Sequence, residues 1–177
     1  MGGLLLSSKK FYEEKLKFFY RNTGPTMDPF TAWILLKSLE TYPLRIEQLC
    51  KNASRIAFFL KDHPKIQKTI FPGFSEHSQK KLVEKQMDGF ENIISFYIKG
   101  NKNTTFKFLN KLSMISISNN LGDVKSLIIH PASTTHLKIL KKDKNFLNIN
   151  NNLVRLSVGL EDVEDVIKDI DLALKKV

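Results

Sequence analysis

Hydrophobic positions recur every three to four residues in the first third of the chain and again at its end, and every second residue in shorter runs between. The first spacing belongs to a helix with one buried stripe, the second to a half-buried strand. Leu4 to Leu6 form a short apolar run, read as the stub of a buried strand. From about Lys9, Phe11, Leu16, Phe19 and Tyr20 follow helical spacing until Asn22, Thr23, Gly24 and Pro25 end it. Asp28 before Pro29 is a strong helix start: the carboxylate caps free N–H groups, and proline at the first helical position sacrifices no bond. That helix carries Phe30, Trp33, Ile34 and Leu36 around much of its girth, so it is expected to be buried between layers. Pro43 interrupts or kinks it, and Leu49, Ala53, Ile56, Ala57 and Leu60 then form a second stripe ending near Asp62, His63 and Pro64.

Beyond Pro64 the period changes. IQKTIF reads as a strand, SQKKLVEKQM as a short helix and NIISFYIKG as a strand closed by Gly100. A helix with Phe106, Phe108 and Leu109 follows, then two strand-like runs, SMISIS and KSLIIH. A loop or small helix at PASTTH precedes a polar, irregular stretch to Asn152. The chain closes with a strand and a helix from about Glu161 bearing Val163, Val166, Ile167, Ile170 and Leu174, with acidic residues at its positive end and Lys175 and Lys176 at its negative end. The sum is an α+β chain: a lead-in of long helices, then an antiparallel or mixed sheet with helices packed mainly on one face.

The last strand contains an arginine. Val154, Leu156 and Val158 alternate with Leu153, Arg155 and Ser157. A guanidinium is a rigid fork of donors suited to a carboxylate or phosphate. Arg155 is either solvent-facing or ion-paired, as most strand arginines are, or aimed at an anionic ligand.

Composition narrows the setting. With 177 residues, 42% hydrophobic and 10% aromatic, the chain can bury a core as one domain. The single cysteine, Cys50, excludes an internal disulfide and reads as a small core hydrophobe in a reducing compartment. No stretch approaches a membrane span, and three leucines in MGGLLLSSKK are too few for a signal-peptide core, so a cytoplasmic location with no membrane partner is expected. The net charge of +10 is spread through every segment beside asparagine runs such as NKN and NINNN, with no stripe of arginine and aromatics, so no nucleic-acid partner is expected.

Self-contained chemistry is missing. His130 and His136 in HPASTTH match neither the helical pair of a metalloprotease nor a zinc-finger spacing, so no metal is expected. Neither GxGxxG nor GxxxxGK[ST] occurs. Ser133, Thr134 and Thr135 beside His136 read as a capped turn after Pro131, and the Asn119, Asn120, Leu121, Gly122 run as turn chemistry tolerant of positive φ.

Four stretches taken together, GPTMDPFTAWILLKSLETYPLRIEQLCKNA, HPKIQKTIFPGFSEHSQKKLVEKQMDGF, ISNNLGDVKSLIIHPASTTH and LVRLSVGLEDVEDVIKDI, resemble the C-terminal part of the pyridoxal-phosphate enzymes of cysteine and methionine metabolism, over nearly the whole chain in one register. The stretch SNNLGDVKSLIIHPASTTH looks most like the O-succinylhomoserine sulfhydrylase branch; the cystathionine synthases and lyases more often carry a Ser-Leu-Gly-Gly-Val-Glu-Ser run there. The resemblance implies the C-terminal small domain of a fold-type-I enzyme, with 1–61 a remnant of the large-domain end plus interdomain helices and 62–177 the substrate-binding domain. It implies that Arg155 grips the substrate's α-carboxylate and that Asn120 and Leu121 line the pocket, Asn120 standing where the family has serine. It implies pyridoxal 5′-phosphate as cofactor, held covalently by a lysine of an upstream large domain that this sequence does not show, so no residue here is assigned as catalytic. The implied partners are an amino-acid substrate and that large domain, as a separate chain or within a homo-oligomer. The implied reaction replaces succinate in O-succinylhomoserine with sulfide to give homocysteine, with the chain inactive alone. A non-catalytic truncated subunit and the cystathionine branch are the alternatives.

Overall fold

Ile94 and Phe96, Val154 and Leu156, and Ile128 alternate along three neighbouring strands, and none has any exposed surface. The structure, a computed structural model, describes residues 2–177. Its strands are β1 (Ile66–Ile70), β2 (Ile93–Ile98), β3 (Ser116–Ile117), β4 (Leu127–Ile129) and β5 (Leu153–Ser157), in the spatial order β1-β2-β5-β4-β3. Every neighbouring pair is antiparallel except β3 and β4, which are parallel. The α-helices in chain order are α1 (Lys9–Phe11), α2 (Lys17–Thr23), α3 (Pro29–Glu40), α4 (Tyr42–Asp62), α5 (Lys80–Gln86), α6 (Lys102–Leu109), α7 (Lys141–Phe146) and α8 (Val163–Lys175).

One face of the sheet receives three helices. Ala53, Ile56, Ala57 and Leu60 of α4, Phe108 and Leu109 of α6, and Val166, Ile170, Ala173 and Leu174 of α8 join the strand residues in one core. Each large side chain taken fully from water there contributes about 1.5–3 kcal/mol. Local chemistry sets the helix ends. Asn101 accepts N–H bonds from Asn103 and Thr104 at the start of α6, and Asp162 accepts from the Glu164 amide at the start of α8. Asp169 of α8 reaches across to the segment before β3, accepting from Ser113 N (2.9 Å), Ser113 Oγ (2.7 Å), Met114 N (3.0 Å) and Ile115 N (3.2 Å). Burial pushes that carboxyl up, but the bonds from Ser113, Met114 and Ile115 outweigh it and hold it below its ordinary value.

The chain divides into a unit ending at Pro43 and a unit Leu44–Val177. In the first, Ser8 caps α1, residues Tyr12–Leu16 take a π-helical turn, and Gly24 (φ 71°) ends α2 in the left-handed conformation. Asp28 caps α3 by accepting from the Thr31 amide at 3.0 Å, as its sequence position predicts.

Several expectations need correction. No residue of α3 is buried among the described residues, and Trp33, which stacks on Phe30 at 5.9 Å, is 56% exposed. An apolar girth shows that a helix seeks cover; it does not supply the cover. Leu4 to Leu6 are exposed and form no strand, since no neighbouring strand pairs with them. Pro43 opens α4 within its first turn, where proline is tolerated, and the break falls at Thr41. SMISIS contributes only Ser116–Ile117, and the polar stretch before Asn152 contains α7.

Candidate functional site

Pairing across the sheet defines its second face. Arg155 sits opposite Ser95 of β2 and Ile129 of β4, and Ser157 sits opposite Ile93 and Leu127. Because paired residues point the same way, Arg155 and Ser157 lie on the face turned away from α4, α6 and α8. The alternation expected for this strand is therefore observed. The Arg155 side chain is half-buried, and its Nη2 donates to the carbonyl of Asn119 at 3.0 Å. Among the described residues no carboxylate pairs with it. A guanidinium has five N–H donors, so one bond to a carbonyl leaves its charge and most of its fork for an anion.

The loop 119–122 that meets Arg155 is held at both ends by β5. Ser157, almost wholly buried, accepts from the Gly122 amide at 2.9 Å, and Asn92 Nδ2 approaches the same hydroxyl at 3.4 Å. Gly122 takes φ 76°, the left-handed region that glycine enters without a side-chain penalty. Asn120 is exposed, its amide donating to Ser118 Oγ at 3.3 Å, and Leu121 is 58% exposed.

The end of β5 is braced from α4. Asn52, 3% exposed, donates through Nδ2 to the carbonyls of Gly159 (3.1 Å) and Glu161 (3.0 Å) and accepts from Gln48 at 2.8 Å. Ser126 donates through N and Oγ to Glu161 at 2.6 and 2.8 Å, and its Oγ accepts from the Gly159 amide at 2.9 Å. A β-carbon at Gly159 would lie 2.5 Å from Ser126 N and 2.6 Å from Lys125 C, so only glycine fits there.

Next to this scaffold opens a cleft of about 1020 Å³, walled by Ile46 and Cys50 of α4, Met87 and Phe90 of the loop between α5 and β2, Ile93 of β2 and Leu121. Leu121 joins the cleft to the loop that holds Arg155. Cys50 is not the core residue expected from its neighbours: it is partly exposed on this wall, and burial still pushes its thiol up, away from the reactive thiolate. Lys51 on the same wall is largely exposed and paired with Glu47 at 2.7 Å, unlike the enclosed apolar setting that activates a lysine for covalent catalysis.

The histidine-rich run is structural. His130 is 2% exposed, its Nε2 lies 2.9 Å from the Asn151 carbonyl and its Nδ1 2.7 Å from Ser133 Oγ. Since the carbonyl only accepts, Nε2 donates and Nδ1 accepts. Burial pushes this imidazole below its ordinary value, so it stays neutral. Among the described residues no group of three or more His, Cys, Asp or Glu is placed to hold a metal, and no helix is long and apolar enough to cross a membrane.

The sequence pattern assigns no role in the site to Ser157, Asn92 or Asn52. Ser157 alone left a trace, being two residues from Arg155 in a strand of period two.

The family profile of Cys/Met metabolism PLP-dependent enzymes matches residues 1–175, and the chain belongs to that family. It is 39% identical over 178 residues to an O-succinylhomoserine sulfhydrylase of Mycobacterium tuberculosis, covering 98% of this chain and 44% of that protein. It is 38% identical over 177 residues to a cystathionine gamma-lyase of Bacillus subtilis, covering 100% of this chain and 46% of that one. A solved structure from Campylobacter jejuni, named as an O-acetylhomoserine (thiol)-lyase with N′-pyridoxyl-lysine-5′-monophosphate, superposes with a TM-score of 0.86 at 34% identity, covering 96% of this chain and 41% of that one. The chain thus spans less than half the length of these relatives. The family's cofactor is pyridoxal phosphate; Lys51 on the cleft wall, ion-paired in the open, is not set up to hold it covalently.

Proposed function

We propose that this chain is the C-terminal, substrate-binding part of a pyridoxal-phosphate enzyme that makes homocysteine from O-succinylhomoserine and sulfide, with the cofactor's lysine in the large domain that precedes this part in the family. The observation that carries this reading is a half-buried guanidinium with no acid partner among the described residues, presented on the sheet face turned away from α4, α6 and α8, beside a loop that also walls a cleft.

Arg155 grips the α-carboxylate through two parallel N–H···O bonds, fixing the amino acid's Cα–H bond in direction. Asn120 and Leu121 form the adjoining wall, Leu121 excluding water on its apolar side. Pyridoxal phosphate, when bound, supplies the electron sink that makes proton loss at Cα feasible. The net exchange forms a carbon–sulfur bond at Cγ and releases succinate. The similarity to a cystathionine gamma-lyase supports a second reading, elimination from a related amino acid with the same carboxylate anchor.

Co-expression of the chain with the complementary upstream portion tests the proposal. Co-purification, visible absorbance from bound cofactor and sulfide-dependent release of succinate from O-succinylhomoserine are expected. Succinate release independent of sulfide favours elimination. Neither co-purification nor cofactor absorbance would mark a non-catalytic subunit and contradict the proposal.

A further inference from the structure

Arg155 and Ser157 project from the same face of β5, two residues apart, and each holds one end of the loop 119–122: Arg155 Nη2 donates to the Asn119 carbonyl at 3.0 Å, and Ser157 Oγ accepts from the Gly122 amide at 2.9 Å. The two contacts depend on each other geometrically. The carbonyl that steadies the guanidinium belongs to a short loop whose far end is fixed by the serine hydroxyl. Ser157 has 1% of its surface exposed, so its hydroxyl meets neither solvent nor a soluble ligand; what it reaches is the loop amide and Asn92 Nδ2. Gly122 lies in the left-handed region with no atom within 4 Å of where a β-carbon would stand. No packing against that side of Gly122 holds the turn, and the hydrogen bond to Ser157 ties it to β5.

We infer that Ser157 is a positioning residue for carboxylate recognition: its hydroxyl fixes Gly122, the loop carries the Asn119 carbonyl to Arg155, and that carbonyl sets the angle at which the guanidinium meets a carboxylate. This rests on the reading of Arg155 as the carboxylate anchor. A bidentate pair needs both N–H groups aligned, so an arginine free to swing keeps its charge but loses part of its affinity. Ser157 thereby acts on substrate binding without touching substrate.

The test uses the full 177-residue chain labelled with nitrogen-15 and acetate as the carboxylate probe. The Arg155 Nε–H cross-peak reports binding, and hydrogen exchange at the Gly122 amide reports the loop. In the wild type, acetate is expected to move the Arg155 cross-peak saturably. In Ser157→Ala, Gly122 exchange should rise and acetate affinity at Arg155 should fall, each by about fivefold, the loss of one ordinary hydrogen bond. Ser157→Thr, which keeps the hydroxyl on a side chain suited to a strand, should restore both toward wild type. Ser157→Cys, close in shape and a weak acceptor, should fall between and carries the comparison if the alanine variant does not fold. Faster Gly122 exchange with unchanged acetate affinity in Ser157→Ala, or in Ser157→Cys where that variant replaces it, would overturn the positioning role and leave the anchor standing. An equal loss in the threonine variant would likewise overturn it. A wild-type Arg155 cross-peak that ignores acetate would overturn the anchor and this inference with it.

Discussion

Arg155 Nη2 donates to the main-chain carbonyl of Asn119 at 3.0 Å, joining the fifth strand to the loop before the fourth. A carbonyl is a dipole, so it orients the guanidinium without neutralising it. A carboxylate in the same place would have formed a closed ion pair with little left for a ligand. That difference leaves the Arg155 fork open, as the proposed anchoring role requires.

Asn52 supports this arrangement from the opposite side of the sheet. Its Nδ2 serves two carbonyls just beyond β5, and Asn52→Ala leaves both without that donor in a buried site. The variant should lose about 2–3 kcal/mol of stability, read as a lower urea midpoint. A midpoint unchanged from wild type would show that the brace contributes nothing.

Gly159→Ala places a methyl against the backbone of Lys125 and Ser126, which cannot yield as a flexible side chain does. The strain should cost about 1–3 kcal/mol and displace the bonds between Ser126 and Glu161. Thermal unfolding and the Ser126 amide shift check both parts. An unshifted Ser126 amide would show that the turn has room to spare.

His130 gives the fold a pH dependence of defined sign. Burial lowers its pKa from the ordinary 6.5, with Lys102 and Lys144 adding to the effect and the bond to Asn151 opposing it. Its contribution to stability is therefore fully present above 6.5 and is lost as the pH falls from there through the lower folded value. Urea midpoints should drop on acidification from about pH 7.5 to about pH 5.5, and His130→Gln should flatten that slope. An equal slope in the variant would assign the dependence to other groups.

Much of the sheet was legible because burial imposes period two. Val154, Leu156 and Val158 turn to the core and Arg155 away from it, as their alternation requires. The stripe of α8 and the Asp28 cap of α3 were legible for similar reasons. The segment at α7 was not, since KKDKNF carries one apolar residue and no stripe. The exposure of Trp33 was not either, because a run of apolar residues records what a surface prefers and not whether a neighbour is there. The supports of the loop 119–122 come from Ser157, 35 residues from Gly122, and from Asn92, 65 residues from Ser157. Such pairings are set by sheet order, which no local pattern contains.

If Arg155 holds the substrate carboxylate, as proposed, substrate affinity must depend on its fork, and Arg155→Lys in the co-expressed assembly measures that dependence. Lysine keeps the charge but loses the two-pronged geometry, at a cost of about 1.5–3 kcal/mol. The dissociation constant for O-succinylhomoserine should rise about tenfold to 150-fold, with cofactor absorbance unchanged. An affinity equal to wild type would contradict the account.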